Sequence, residues 1–454
     1  MRPVPPMNKM RTQLLPGLFD DVAPTLARRI GPTGTVFLPS RPRAGKPALR
    51  AASGAARITL VRVRVLLLFV ALIGSVIALP ATQPVAAVTG SQWWVALAFA
   101  NRELGAVVEG SGVEQAARCE LALYSTSNGG VTWASPVVLS HGASCGAGGS
   151  TDEMAMTPDG SWFLATAQGL FRGRARQAGF ELIRPARLVP SESTYTVCSV
   201  AVAGRSVWVV LADACGLRSA GVVLVSGNEG ATWTRSRNTP LGSVDQANLV
   251  DATAPESLAV AGPASAWLIG SRTAPSSYGA AGTLAVAHTA DAGRTWHVST
   301  LPCRIDGIAG MLTAVGNDVA TLCVGDPSTG FAPMEVVTSA TGGASWTERC
   351  DNGPRGLLRI VGACPAFGYP GAMVALPSGA LVMAIGYPIG GVDMSLDGGR
   401  NWKLVLRSAA TFLSLSRGAG AVWVLGLGPV SPGLRLAESK DGRRWRAVAL
   451  PRLG

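Results

Sequence analysis

The sequence predicts an all-β chain: a seven-bladed β-propeller of four-stranded antiparallel blades, preceded by one N-terminal membrane-targeting helix. Three observations predict it. A short phrase closing on tryptophan recurs between residues 126 and 445, short apolar runs broken by Gly, Asn and Asp fill the chain beyond residue 90, and a basic leader runs into an apolar stretch at Val65–Leu79. With 454 residues, 48% of them apolar, and with 56 Gly and 30 Pro, the chain is neither disordered throughout nor a coiled coil.

The leader comes first. Residues 1–64 hold ten Arg and two Lys against Asp20 and Asp21, a net +10 out of the chain's +12. A nucleic-acid binder would carry that charge on its folded domain, whereas a basic flank before an apolar run orients a chain in a membrane. Nucleic acid is therefore excluded as a partner. Residues 1–56 show no sustained period and read as a basic disordered tail; residues 57–87 read as a signal or transmembrane segment. Cleavage near Ala81 or Ala87 and retention as an anchor both fit, so the propeller is expected outside the cytoplasmic membrane, anchored or secreted. Only four lysines stand among 39 Lys+Arg, the coding bias of a GC-rich bacterium.

All eight cysteines lie beyond the apolar stretch: Cys119, Cys145, Cys198, Cys215, Cys303, Cys323, Cys350 and Cys364. An even number in an exported domain implies disulfides, and four sequential pairs are the simplest connectivity. Zinc is not implied, because there is no C-x-x-C and His141, His288 and His297 are not at ligand spacing. No cofactor or metal set is read.

The repeat organises the rest. TSNGGVTW (Thr126 to Trp133) is echoed by SGNEGATW (Ser226 to Trp233), TADAGRTW (Thr289 to Trp296), SATGGASW (Ser339 to Trp346) and SLDGGRNW (Ser395 to Trp402). A copy one residue shorter, SKDGRRW, ends at Trp445. The intervals between these tryptophans are 100, 63, 50, 56 and 43 residues, so the first gap is double. A degenerate copy is expected midway, at Ala167 to Phe180, with Phe180 where tryptophan would stand. Seven copies at a mean step near 52 residues make a propeller-blade period.

Each period parses into four strands. In the third blade they are 196–203, 206–213, 221–226 and 231–235, with the phrase turning strand three into strand four. The meander starts at Trp93 to Ala100 and ends at Arg444 to Leu450, and a second aromatic recurs in the second strand at Trp162, Trp208, Trp267 and Trp423. The phrase suits a hairpin turn: an Asp or Asn oxygen accepts backbone N–H groups, Gly permits positive φ, and Ser/Thr hydroxyls satisfy loop backbone. Its tryptophan is expected to anchor the hairpin to its own blade.

The phrase resembles the Asp-box, or BNR, repeat of sialidases, sortilin-type receptor propellers, xyloglucanases and photosystem assembly factors, over residues 90–454. The resemblance implies a structural role for Asn128, Trp133, Asn228, Trp233, Asp291, Trp296, Thr341, Trp346, Asp397, Trp402, Asp441 and Trp445. It implies no active site. Sialidases carry an early Arg-Ile-Pro phrase that this chain lacks, Cys303 to Asp306 (CRID) being late and without proline. None of the five tyrosines sits in a nucleophile setting, and sialidase propellers have six blades. Xyloglucanases need two opposed carboxylates and normally two propellers.

Function is therefore expected where the connections are long. In an up-and-down blade the first-to-second and third-to-fourth turns share one face, and the remaining connections share the other. The long loops, near 141–151, 184–195, 236–255, 271–282 and 350–370, and the proposed cysteine pairs map to that second face. Contact candidates there are Arg184, Arg187, Arg218, Arg235, Arg237, Arg272, Tyr278, Arg304, Arg349, Arg355, Tyr369 and Tyr387. The reading is a non-catalytic extracytoplasmic propeller that binds a protein or glycan of the bacterial cell envelope, touching the membrane through its N-terminal segment. A purely structural envelope protein is a further reading, and the alternative is an exo-sialidase-like or other glycoside hydrolase.

Overall fold

The structure, a computed structural model, describes residues 91–112, 119–143, 153–177, 179–189, 195–212, 222–236, 258–271, 284–303, 307–325, 332–352, 362, 364–365, 368–386, 390–407, 412–429 and 435–451. The tail and the membrane-targeting segment lie outside them. Among the described residues no helix is long and apolar enough to cross a membrane.

Seven antiparallel blades of four strands follow one another along the chain. Blade 1 is β1 (Ser91–Phe99), β2 (Gly105–Gly112), β3 (Cys119–Thr126) and β4 (Val137–Ala143). Blade 2 is β5 (Glu153–Met156), β6 (Ser161–Thr166), β7 (Gly169–Arg174) and β8 (Phe180–Ile183). Blade 3 is β9 (Thr196–Ala203), β10 (Ser206–Ala212), β11 (Val222–Ser226) and β12 (Thr234–Arg235). Blade 4 is β13 (Leu258–Val260), β14 (Ala266–Ser271), β15 (Leu284–Thr289) and β16 (His297–Thr300). Blade 5 is β17 (Gly307–Val315), β18 (Asp318–Gly325), β19 (Met334–Ser339) and β20 (Thr347–Asp351). Blade 6 is β21 (Pro370–Ala375), β22 (Leu381–Ile385), β23 (Gly391–Ser395) and β24 (Lys403–Arg407). Blade 7 is β25 (Phe412–Gly418), β26 (Ala421–Pro429), β27 (Leu436–Ser439) and β28 (Trp445–Val448). The third blade departs from its sequence parse chiefly at the fourth strand, which is two residues long.

Burial explains the pattern of the runs. Second and third strands lie between two neighbouring blades, so both faces are covered and they read as continuous apolar segments such as LVMAI in β22. Outer strands have one free edge and stay mixed, as in KLVLR of β24. The buried side chains fall into seven clusters, each shared by two adjacent blades, including one that joins blade 7 to blade 1. The cores are seams between blades.

The inner strands β1, β5, β9, β13, β17, β21 and β25 touch in that order, and β25 touches β1, so the ring is closed. Among the described residues no strand is exchanged between the first and last blades. Instead β1 adds a short antiparallel pairing to β26 at Trp93 and Trp94, and Asn101 bridges Ala419. The inner strands are also stitched: Val200 N–H donates to Glu153 Oε2 at 2.9 Å and Ala375 N–H to Thr313 Oγ1 at 2.8 Å. Phe99 N–H donates to Ser416 Oγ at 3.0 Å in the same sense, from one blade to the blade before it. The closing seam thus repeats the device of internal seams.

Two sequence expectations need correction. The phrase tryptophans do not simply anchor their own hairpins; Trp133, Trp233, Trp296, Trp346, Trp402 and Trp445 each pack into the seam with the preceding blade. Three donate their indole N–H across it, Trp133 to Ala449 O, Trp296 to Ser236 Oγ and Trp346 to Ser299 Oγ, at 2.8, 2.8 and 3.0 Å. An outer strand has one covered edge, so its large side chains reach apolar surface only on the neighbour.

The second correction concerns Phe180, whose place in the seam is taken by Trp162. Trp208, Trp267 and Trp423 face the following blade, but Trp162 faces the preceding one, and Phe163 takes the forward position beside Gly230 of blade 3. One residue along a strand reverses the face. Trp162 therefore fills the seam that lacks a phrase tryptophan, whereas Phe180 is 38% exposed. Gly173 stands opposite Trp162, and a Cβ there would come within 2.4 Å of the indole.

Candidate functional site

The two faces of the ring are built differently. On one face the tryptophan-closed turns of blades 1, 3, 4 and 5 hydrogen-bond to the first-to-second turn of their own blade, as Gly129 N–H does to Glu103 O at 2.8 Å and Gly342 N–H to Asn317 O at 3.0 Å. In all five full-length copies the leading Ser or Thr hydroxyl accepts the N–H of the fifth residue, a glycine, at 2.7–2.9 Å. The third side chain (Asn128, Asn228, Asp291, Thr341 or Asp397) accepts the seventh residue's N–H at 2.8–2.9 Å. In the short copy, Asp441 Oδ1 accepts Arg443 and Arg444 N–H at 2.9 and 3.2 Å.

The carboxylates among them are ionised caps. Hydrogen bonds from the Thr295 hydroxyl and N–H hold Asp291 down to about 2. Burial pushes Asp397 up, but hydrogen bonds from Asn401, Ser395 and Arg400 outweigh it and hold Asp397 at about 2. Such groups are spent on backbone and have no proton to give near neutral pH.

Two buried glutamates lie on the same face, and nothing in the phrase pointed to them. Glu229, at φ 58°, reaches Arg205 at 2.6 Å and, in blade 2, Arg174 at 3.4 Å and Ser161 Oγ at 3.3 Å. Glu438 is clasped by Arg446 at 2.7 Å and by Arg102 of blade 1 at 2.8 Å. Burial raises its pKa, and the two guanidiniums overcome that and hold it below the usual carboxylate value. The one visible signal was a glutamate at the fourth phrase position, where Gly or Ala stands in four other full-length copies.

The opposite face collects the chain's longer connections. Cys303 is bonded to Cys323 and Cys350 to Cys364, two of the expected pairs, with Cα separations of 6.4 and 5.1 Å. Cys198 is also disulfide-bonded. Cys119 begins β3, and Cys145 and Cys215 lie outside the described residues. Beside the last disulfide, Gly362 forms a parallel bridge with Cys350 along the free edge of β20, and its N–H donates to Arg349 O at 3.1 Å. A Cβ at Gly362 would lie 1.9 Å from Arg400 O, so only glycine fits between β20 and the turn of blade 6.

Of the contact candidates, Arg184, Arg187 and Arg235 are exposed. Arg184 precedes a single helical turn, Pro185–Leu188, and Arg187 pairs with Glu181 at 2.7 Å. Arg349 is half-buried, donating from Nε to Thr338 Oγ1 at 2.6 Å and packing beside Gly399 of blade 6. Tyr369 is half-buried before β21. Arg218, Arg237, Arg272, Tyr278, Arg304, Arg355 and Tyr387 lie outside the described residues.

The central channel has two charged landmarks. Glu153 opens β5 at the loop end, and burial pushes its carboxyl up to about 7 against the hydrogen bond from Val200. Near the other end, Arg417 of β25 donates from one Nη1 to Ala314 O and Ala375 O at 3.3 and 2.7 Å, tying blade 7 to blades 5 and 6. Among the described residues no three His, Cys, Asp or Glu side chains gather as a metal site.

No model of a known protein family and no curated protein matches the chain. Among solved structures it is similar to YCF48 bound to D1 peptide, at 20% identity over 65% of this chain and 79% of that one, with a TM-score of 0.39. It is similar to the GH74 xyloglucanase from Xanthomonas campestris at 14% identity over 81% and 69%, TM-score 0.44. Hadza microbial sialidase Hz136 matches at 12% identity over 77% and 66%, TM-score 0.40. The likeness is one of fold.

Proposed function

We propose that this propeller is a non-catalytic binding module that works outside the cytoplasmic membrane. Its tryptophan-closed turns are read as Asp-box repeats, and its loop face takes a protein or glycan of the cell envelope. The supporting observation is the division of labour between the faces. On the turn face, side-chain oxygens are committed to backbone N–H groups and the two glutamates to arginines. On the other face, disulfides hold longer connections on a rigid ring, the setting in which loops carry recognition.

The hydrolase alternative requires opposed carboxylates free to exchange protons. Glu153, Glu229 and Glu438 are instead engaged in holding blades together, and buried Glu109 accepts the Tyr124 hydroxyl at 2.8 Å within blade 1. The test has two arms. The purified domain should release no fluorophore from sialosides or glucans, and it should capture a partner from envelope extracts that the variant Arg184→Ala, Arg187→Ala loses; Arg235, expected at the same face, stands instead in β12 two residues after Trp233 and is left unchanged. Turnover abolished by carboxylate substitution on the loop face would overturn the reading.

A further inference from the structure

The turn face is not uniform in charge. The turns of blades 3 to 5 carry Arg205 and Arg294 against Glu229, Asp291 and Asp318. In the sector of blades 6, 7 and 1 the balance reverses. Arg400, Lys403, Lys440, Arg443 and Arg444 are all exposed, and among the described residues none of the five is in an ion pair. Four carboxylates stand among them: Asp397 and Asp441 are exposed, ionised and bonded to N–H groups of their own turns, Glu438 is buried between Arg102 and Arg446, and Glu103 is exposed. With Arg102 and Arg446 counted, seven cations face these four carboxylates, so the sector stays positive.

The same sector holds the two most exposed large apolar side chains among the described residues. Val131 at the turn of blade 1 is 71% exposed, and Leu396 at the turn of blade 6 is 58% exposed. They flank the basic turn of blade 7, and all three turns are third-to-fourth connections, so they stand on one face. Each sits in a turn whose neighbouring residues are held by the hydrogen bonds already described. A soluble polyanion would engage the cations and leave the tips in water. A bilayer surface takes both, aliphatic groups at the headgroup boundary and cations against anionic headgroups.

We infer that the turn face of blades 6, 7 and 1 docks on an anionic lipid bilayer. The surface is opposite the loop face, so the inference stands independently of the partner proposed there. Docking in this way would leave the loop face directed away from that bilayer.

The test uses residues 83–454, which hold all seven seams and the closed ring and therefore the complete core of the domain. Co-sedimentation with phosphatidylglycerol–phosphatidylcholine vesicles should exceed that with phosphatidylcholine alone by about tenfold or more, and should weaken as salt is raised. Arg443→Glu with Arg444→Glu should remove most of that gain, and Val131→Ser with Leu396→Ser should weaken binding by roughly three- to tenfold. Arg294→Glu, a charge reversal on blade 4, should leave it unchanged. Thermal melting of each variant shows whether the ring is intact, and Arg400→Glu with Lys403→Glu replaces the first pair should it misfold. Equal binding to neutral vesicles would overturn the inference, as would insensitivity to both charge-reversal pairs. So would tight binding of polyglutamate or dextran sulfate without binding to vesicles.

Discussion

Blade 1 has two flanks, and they are held differently. Its seam with blade 7 has no connecting chain, and there Trp133 bonds to Ala449, Phe99 stacks on Trp423 with centroids 3.7 Å apart, Arg102 clasps Glu438, and β1 pairs with β26. Its seam with blade 2 is covalently continuous, and the turn contributes no indole; Trp162 fills it from within the sheet. Consecutive blades are kept close by the connection between them. The last seam must close a loop of the whole domain and has only side chains and a few backbone bonds to do it. Non-covalent devices accordingly gather where the chain is discontinuous.

The comparison breaks most visibly at the tryptophans. Trp162→Ala and Trp423→Ala should each cost about 3–5 kcal/mol in denaturant unfolding, because both indoles are fully buried. Phe180→Ala should cost under about 1 kcal/mol, since that ring is partly exposed. A large loss at Phe180 with a small one at Trp162 would restore the sequence-based equivalence of Phe180 with the phrase tryptophans and undo the account of this seam.

A smaller effect is expected at the clasp. Glu438→Gln should destabilise the domain by on the order of 1–2 kcal/mol, the two arginines being free to turn to water. Hydrogen exchange should rise in β1 and β26 more than in blades 3 to 5. Because the folded pKa of Glu438 lies below its unfolded value, its contribution is present above the unfolded pKa and disappears as pH falls through the folded one. The variant should therefore converge with the wild type in acid. A uniform rise in exchange around the ring would show that the clasp has no special place in closure.

The smallest effect has the opposite sign. The stitch at the closing seam uses a neutral hydroxyl, Ser416, whereas the stitch between blades 2 and 3 uses Glu153, whose carboxyl is raised to about 7. A raised acid favours the fold fully below its unfolded pKa and loses that contribution as pH rises through the folded value. Glu153→Gln should match the wild type near pH 4 and be more stable above pH 7, by about 1 kcal/mol. A destabilised variant at pH 8 would show that the ionised carboxylate is the better stitch.

Much of the fold was legible because its signal is local. The turn chemistry of SLDGGRNW depends on oxygens and glycines within eight residues, and its strands are marked by apolar runs between turn residues. The sites were less legible. Glu229 and Glu438 look like ordinary charged residues in the sequence, and their burial comes from arginines more than fifty residues away, Arg174 for one and Arg102 for the other. Trp162 was legible as an aromatic but its direction was not, because neighbouring residues of a strand face opposite seams and the Trp162–Phe163 pair offers an aromatic to each.

From the sequence alone came the blade number, the turn that ends each third strand and the pairing of Cys303 with Cys323 and of Cys350 with Cys364, all consequences of short-range spacing. Tertiary structure decided which blade each tryptophan serves, how the ring closes without exchanging a strand, and which carboxylates are buried. Those outcomes depend on what the neighbouring blade presents across the seam, and contacts between residues as far apart as Phe99 and Ser416 leave no periodic trace along the chain.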